Sequence, residues 1–310
     1  MAPAGALLSE AHRPDPAAVC QLLASMSLVG AYVALVKPLT AQFPIFALAF
    51  LRFAIAAIAL LPWTWRAATE PALTRAESWQ LFLQSFFGNF LFSICMLSGV
   101  ALTSATASGL VMSALPVVVA LFSTALLRER LNGRLLLAVL SAGAGIGLVQ
   151  MAKPAQSSAL ASWLGDALVF AAVCCEALYV VIGKRLSATR TPMRVSAWIN
   201  LWGLALAAPL GLWQMTRVDL SAIAPRFWVT LVFYSLAASV AAVALWMSGL
   251  RRTPAGFAGV FTVALPLSTT AVAVGVLGEA LTWLHALALA CAVLAIALAA
   301  WPAGRPSLPR

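Results

Sequence analysis

Ten stretches of this chain are apolar for long enough to cross a lipid bilayer, and several are joined by loops of only a few residues. They lie near 17–36, 44–65, 79–98, 104–126, 134–151, 161–183, 195–213, 227–250, 254–277 and 282–301. About 20 apolar residues cross the hydrocarbon core as a helix, which satisfies its own backbone polar groups where no water can. The 310-residue chain is 63% hydrophobic and 9% charged, more apolar surface than a soluble fold can hide. The fold class is therefore an all-α membrane protein with ten transmembrane helices.

The formal net charge of +10 would point to nucleic acid in a soluble protein. Here the cations sit in short loops between apolar runs, and no basic patch with interleaved aromatics stands outside the spans, so no nucleic-acid partner is expected. Their distribution sets orientation instead. Both tails and the loops after spans two, four, six and eight carry Arg13, Arg66, Arg75, Arg128, Arg130, Arg134, Lys184, Arg185, Arg190, Arg194, Arg251, Arg252, Arg305 and Arg310. The other side carries Lys37, Lys153, Arg217 and Arg226. Fourteen cations against four place both termini in the cytoplasm under the positive-inside rule. Residues 1–16, with three prolines and no signal-peptide order, read as a disordered cytoplasmic tail, and 302–310 as a second one.

Two parts of the chain repeat each other. Thr103 to Leu148 aligns without gaps on Thr253 to Leu298, with 14 identities in 46 positions. Among them are Ala114-Leu115-Pro116 with Ala264-Leu265-Pro266, and Glu129 with Glu279. Composition alone would give roughly a tenth, so the chain carries an internal duplication. With a three-residue shift Tyr32 and Lys37 fall on Tyr179 and Lys184, and Ser98-Gly99 falls on Ser248-Gly249. The units are 17–151 and 161–301, five spans each. Five is odd, so the second unit must be inverted. The cations agree: Arg128, Arg130 and Arg134 face Gly278, Ala280 and Leu284, while Arg251 and Arg252 face Ala101 and Leu102. The expected architecture is two inverted five-helix repeats.

Ionisable residues at membrane depth cost about 2.5–3.5 kcal/mol each and are functional candidates by default. Arg52 sits nine residues into span two, and Glu176 lies in the inner half of span six. Glu176 can serve as an amine or proton site, and Arg52 as a carboxylate anchor or as the partner of Glu176. A purely structural pair is the alternative. Tyr179 shares a helix face with Glu176, and its repeat partner Tyr32 could line the same cavity or mark a headgroup belt. Asn89 lies at the middle of span three. Trp246 in span eight offers either an aromatic wall or packing. Gln84, Asn200, Ser235 and Ser239 suit bonds between helices. Pro116 and Pro266 each remove one backbone hydrogen bond mid-span, which suits gating bends or static packing. Glu129, between two arginines, suits an interfacial ion pair, whereas Glu279 suits a backbone amide. Gly143 and Gly147 make a small-residue face that fits a homodimer.

The five cysteines lie in apolar runs without ligand spacing, and His12 and His285 cannot form a metal site, so no metal is expected. No nucleophile–base set, phosphate-binding loop or ATPase motif is present, so neither catalysis nor a cofactor is expected.

Several motifs together resemble the EamA-type transporters of the drug/metabolite transporter superfamily. They are Leu51-Arg52-Phe53, Ala114-Leu115-Pro116-Val117 followed by Glu129-Arg130-Leu131, Gly165-Asp166, and Ala264-Leu265-Pro266 followed by Gly278-Glu279-Ala280-Leu281. The likeness covers about 17–301. It implies inverted five-helix repeats around a cavity, alternating access, a bacterial inner-membrane location, and export of amino acids, other metabolites, drugs or metallophores. The Trp-Ser pair common in span one of aromatic-amino-acid exporters is absent from Ser27 to Tyr32. The functional expectation is a secondary transporter exporting a small polar or zwitterionic metabolite, with proton antiport as one form of coupling. Substrate would meet Arg52, Glu176, Tyr32, Tyr179, Asn89 and Trp246, and Pro116 and Pro266 would bend. An importer, a passive channel and a non-transporting membrane assembly protein are the alternatives.

Overall fold

The computed structural model describes residues 15–65, 73–115, 117–119, 121–122, 133–151, 159–183, 191–250, 261–262 and 264–300. The two tails, Pro116, Glu129 with its flanking arginines, Lys184, Arg251 and Arg252 lie outside the described residues, as does the side chain of Gly147.

Helix α1 runs Pro16–Thr40 behind Asp15, whose side chain accepts from the Ala17 N–H, with Pro16 in the first turn. α2 runs Ile45–Leu60 and ends in a 3₁₀ turn over Leu61–Thr64. α3, Arg75–Ser85, starts at a capping box in which Thr74 and Glu77 bond each other's backbone. Arg75 and Glu77, which the sequence reading puts in a polar loop, are thereby drawn into the first turn. A π turn over Phe86–Leu91 leads into α4, Phe92–Leu102, and Ser104 caps α5, Ala105–Met112. Then follow α6 (Gly133–Met151), α7 (Ala159–Gly183), α8 (Pro192–Met215) and α9 (Pro225–Leu236). A second π turn over Ala237–Ala241 joins α10 (Ala242–Leu250), and α11 (Ala264–Gly275) and α12 (Trp283–Ala300) complete the fold. No strand occurs among the described residues.

Among the described residues, six helical runs are long and apolar enough to cross a bilayer: Pro16–Thr40, Ile45–Thr64, Arg75–Leu102, Leu160–Tyr179, Pro192–Met215 and Pro225–Gly249. Ala105–Val119, Leu136–Gly145, Ala264–Gly275 and Trp283–Leu298 are apolar but shorter. Large apolar side chains such as Leu136, Trp163, Trp213 and Trp283 point outward. Alanine, glycine and small polar residues fill the contacts between helices. A bundle in lipid associates through such close packing rather than by hiding apolar surface.

The broadest helix contacts all cross from one half to the other: α2 with α8, α6 with α12, α1 with α11, α4 with α7, and α1 with α10. Exchange of the halves maps α2–α8 and α6–α12 onto themselves and α4–α7 onto α1–α10. Details repeat as well. A Cβ on Gly99 of α4 would meet the Gly165 carbonyl at 2.8 Å and Val169 at 2.7 Å. A Cβ on Gly249 of α10 would meet the Ala18 carbonyl at 3.0 Å and Leu22 at 2.7 Å. Gly99 and Gly249 are 150 positions apart, whereas Gly165 and Ala18, and Val169 and Leu22, are 147 apart. Those are the two registers of the sequence repeat. The π turns correspond too, since 86–91 maps on 236–241.

Both Ala-Leu-Pro motifs lie where a helix restarts. α5 ends at Met112 and turns at Ser113 and Ala114, and α11 opens at Ala264. Pro266 is the third described residue of α11, and Val263 just before that helix lies outside the described residues.

Candidate substrate site at the seam between the halves

Arg52 occupies the middle of α2 and is 5% exposed. One terminal nitrogen (NH1) donates to Ser93 Oγ of α4 at 2.7 Å. The guanidinium lies 4.8 Å from the centre of the Phe53 ring and 5.4 Å from that of Tyr234 in α9. Such cation–aromatic contacts grow stronger when water is excluded. Tyr234 in turn meets Tyr32 of α1, ring centres 5.6 Å apart and planes tilted by 53°. The Arg52 Nε is buried and has no hydrogen-bond partner among the described residues. The charge is held by a neutral hydroxyl and aromatic faces, and one donor stays available.

Glu176 projects from α7 and is half-buried. It lies within electrostatic reach of Arg52, and both lie within reach of Tyr32. Tyr32, Arg52, Phe53 and Ser93 come from the first half, and Glu176 and Tyr234 from the second. A guanidinium with a free donor can grip a carboxylate, and a nearby carboxylate can take an amine or a proton. Aromatic walls can flank either group.

The other expected residues are placed differently. Tyr179, one turn past Glu176 and within its electrostatic reach, covers the first π turn. A Cβ on Gly88 would come within 2.5 Å of its ring, so only glycine admits it there. Tyr32 therefore pairs with Tyr234, not with its repeat partner Tyr179. Asn89, in the same π turn, is 7% exposed, and its Nδ2 has no partner among the described residues. Trp246 is half-buried in α10, and no ring contact joins it to the Arg52 group among the described residues. Pro266 is buried in α11.

Sequence reasoning missed Ser93, Phe53 and Tyr234. Tyr234 carried a usable signal, being the third tyrosine of a chain whose other two were already candidates. Of the polar residues assigned to helix contacts, Asn200 and Ser239 bond each other, whereas Ser235 Oγ donates to the Leu231 carbonyl of its own helix and Gln84 Oε1 is buried without a partner among the described residues. Ser239 Oγ donates to Asn200 Oδ1 at 3.0 Å, Ser196 Oγ to the Ser239 carbonyl at 2.8 Å, and Ser85 Oγ to the Ile199 carbonyl at 2.7 Å. Cys95 of α4 and Cys175 of α7 lie close enough to interact electrostatically. Gly143 is exposed with nothing within 4 Å of an added Cβ, whereas Gly145 packs on Ala288 and Cys291 of α12. Among the described residues, nothing covers Gly143.

Membrane-length helices in two matched halves, meeting around buried ionisable side chains, define a membrane transporter. The chain belongs to the EamA-like transporter family, whose profile matches twice, over residues 16–151 and 163–301. It is 33% identical over 278 residues to the uncharacterized transporter YetK of Bacillus subtilis (strain 168), covering 89% of this chain and 84% of that protein. The uncharacterized transporter YyaM of the same organism is 25% identical over 183 residues, 59% of this chain and 60% of that one. A solved crystal structure superposes with a TM-score of 0.61 at 20% identity, over 91% of this chain and 96% of its own, a likeness of fold.

Proposed function

We propose that the chain is a secondary transporter of the inner membrane that exports a small polar or zwitterionic metabolite by alternating access between its halves. Arg52 grips a substrate carboxylate. Glu176 takes the substrate amine, or a proton moving the other way. The rings of Tyr32 and Tyr234 bound the site. One observation carries this reading. A buried guanidinium with an unused donor stands near a carboxylate contributed by the opposite half. A static brace would be expected to close that pair and satisfy the donor.

The exchange-symmetric packing supports two five-helix repeats, and the loop charges support their inversion, ten spans and cytoplasmic termini. Export direction and proton coupling rest on the family likeness. Gly143 leaves a face on which a second copy can pack.

The test is counterflow in proteoliposomes over a panel of amino acids and related zwitterions. Saturable exchange in the parent, lost in Glu176→Gln while that variant inserts normally, is the expected result. Non-saturable flux would establish a channel instead. Undiminished and still pH-dependent exchange in Glu176→Gln would remove the role given to that residue.

A further inference from the structure

On the face that the loop charges put outside the cell, the second half supplies side-chain caps to two helices of the first half. α11 ends in a wide turn, in which the Leu277 N–H donates to the Val272 carbonyl at 3.2 Å. The Glu279 N–H donates to the Ala273 carbonyl at 3.0 Å, and Gly278 holds φ +71°, a conformation that suits only glycine without strain. That turn sends the Glu279 side chain across to the first half. Its Oε1 accepts from the Ala105 N–H at 2.7 Å, and its Oε2 from the Thr106 N–H at 2.9 Å and Thr106 Oγ1 at 2.7 Å. These are open donors at the start of α5, where a carboxylate also meets the favourable end of the helix dipole.

Lys37, at the end of α1, completes the arrangement from the other side of the same turn. Its Nζ donates to the carbonyls of Val100 at 2.8 Å, Ala101 at 3.0 Å and Thr103, the open acceptors at the end of α4. Lys37 and Glu279 are within electrostatic reach of each other. A second cap crosses the seam on this face, because Gln214 Oε1 at the end of α8 accepts from Phe46 N–H at 2.9 Å and Ala47 N–H at 3.1 Å at the start of α2. Lys37, read from sequence as an orienting loop cation, is thus part of a bonded turn.

We propose that Glu279, set by Gly278 and backed by Lys37, is the latch of the outer gate, with Gln214 as a weaker second catch. The outer face cannot part between the halves while Glu279 holds both amides of α5. Opening breaks these bonds together and returns the carboxylate and the amides to water, so the cost is modest and reversible. The latch rests on the carrier reading only for its purpose, not for its existence.

Accessibility tests it without a known substrate. With Cys20, Cys95, Cys174, Cys175 and Cys291 replaced by serine, a reporter is placed one turn below the caps as Ser108→Cys, a position that is fully buried. A charged, membrane-impermeant methanethiosulfonate is applied to right-side-out and inverted membrane vesicles. Glu279→Ala should speed labelling from the outer side about tenfold, with Glu279→Gln, which keeps one acceptor oxygen, in between. Adding Gln214→Ala should speed it further, and labelling from the inner side should not rise. Unchanged outer labelling in correctly inserted, monodisperse variants overturns the latch. Failure of both Glu279 variants to fold does so too, by showing a static brace. Transport plays no part in this readout, so absence of exchange in proteoliposomes would leave it standing, and its failure would leave the carrier reading untouched.

Discussion

Gly249 lies against Ala18 in the register in which Gly99 lies against Gly165. In each case a glycine of one half faces a backbone carbonyl of the other half, which an added Cβ would meet at 2.8 Å from Gly99 and at 3.0 Å from Gly249. The two contacts stand at opposite positions of the repeat.

Gly99→Ala and Gly249→Ala should therefore lower stability by similar amounts, about 1–3 kcal/mol each, because a methyl group must displace backbone. Gly143→Ala, which meets open space, should stay within about 0.5 kcal/mol of the parent. Thermal unfolding in detergent, followed by tryptophan fluorescence, measures all three. Unequal losses at 99 and 249 would argue against the shared register.

Ser93→Ala removes the hydrogen bond to the Arg52 guanidinium. Bonds to a charged group contribute about 1.5–3 kcal/mol, so half-saturation in counterflow should rise at least tenfold. Ser93→Thr, which keeps the hydroxyl, should stay near the parent. A maximal rate that falls while half-saturation holds would place Ser93 outside the binding step.

Tyr234→Phe retains the ring face toward Arg52 and should cost little, whereas Tyr234→Leu should cost about 0.5–2 kcal/mol through the lost cation–aromatic contact. Comparing the unfolding temperatures of the two variants separates ring from hydroxyl. Equal temperatures would mean that the ring face contributes nothing.

Arg52→Lys keeps the charge but not the planar fork. If the fork grips a carboxylate, exchange of carboxylate substrates should drop at least about tenfold although the protein still inserts. Retained affinity would show that Arg52 acts as a point charge only.

Ser239→Ala leaves Asn200 Oδ1 without its donor. Polar bonds between helices in lipid average about 0.6 kcal/mol, so the unfolding temperature should fall slightly, and Asn200→Ala should lower it further. The reverse order would show that the unsatisfied Asn200 oxygen costs more than the bonds that Asn200 makes.

The membrane class, the helices and the paired units were legible because hydropathy and an aligned repeat are properties of the chain itself. The two alignment registers, 150 and 147, reappear as contacts at Gly99 and Gly249. Arg52 and Glu176 stood out because charge in an apolar run is visible without a fold. Ser93, Phe53 and Tyr234 did not, because their relevance comes from neighbours on other helices. Tyr32 and Tyr179, equivalent in the repeat, each lie beside a π turn of the other half, Tyr32 on Tyr234 and Tyr179 on Gly88. Lys37 looked like a charge that orients loops, and only its reach to three carbonyls shows otherwise. The π turns were invisible, since an extra residue in a turn leaves no mark on an apolar pattern.

Those π turns also put the history of the chain in order. A wide turn needs one residue more than a regular helix, and it occupies the same place in both halves, 86–91 and 237–241. An insertion acquired after the doubling would be found in one copy alone. The single ancestral unit already carried it, so the irregularity is older than the two-part transporter in which it now sits.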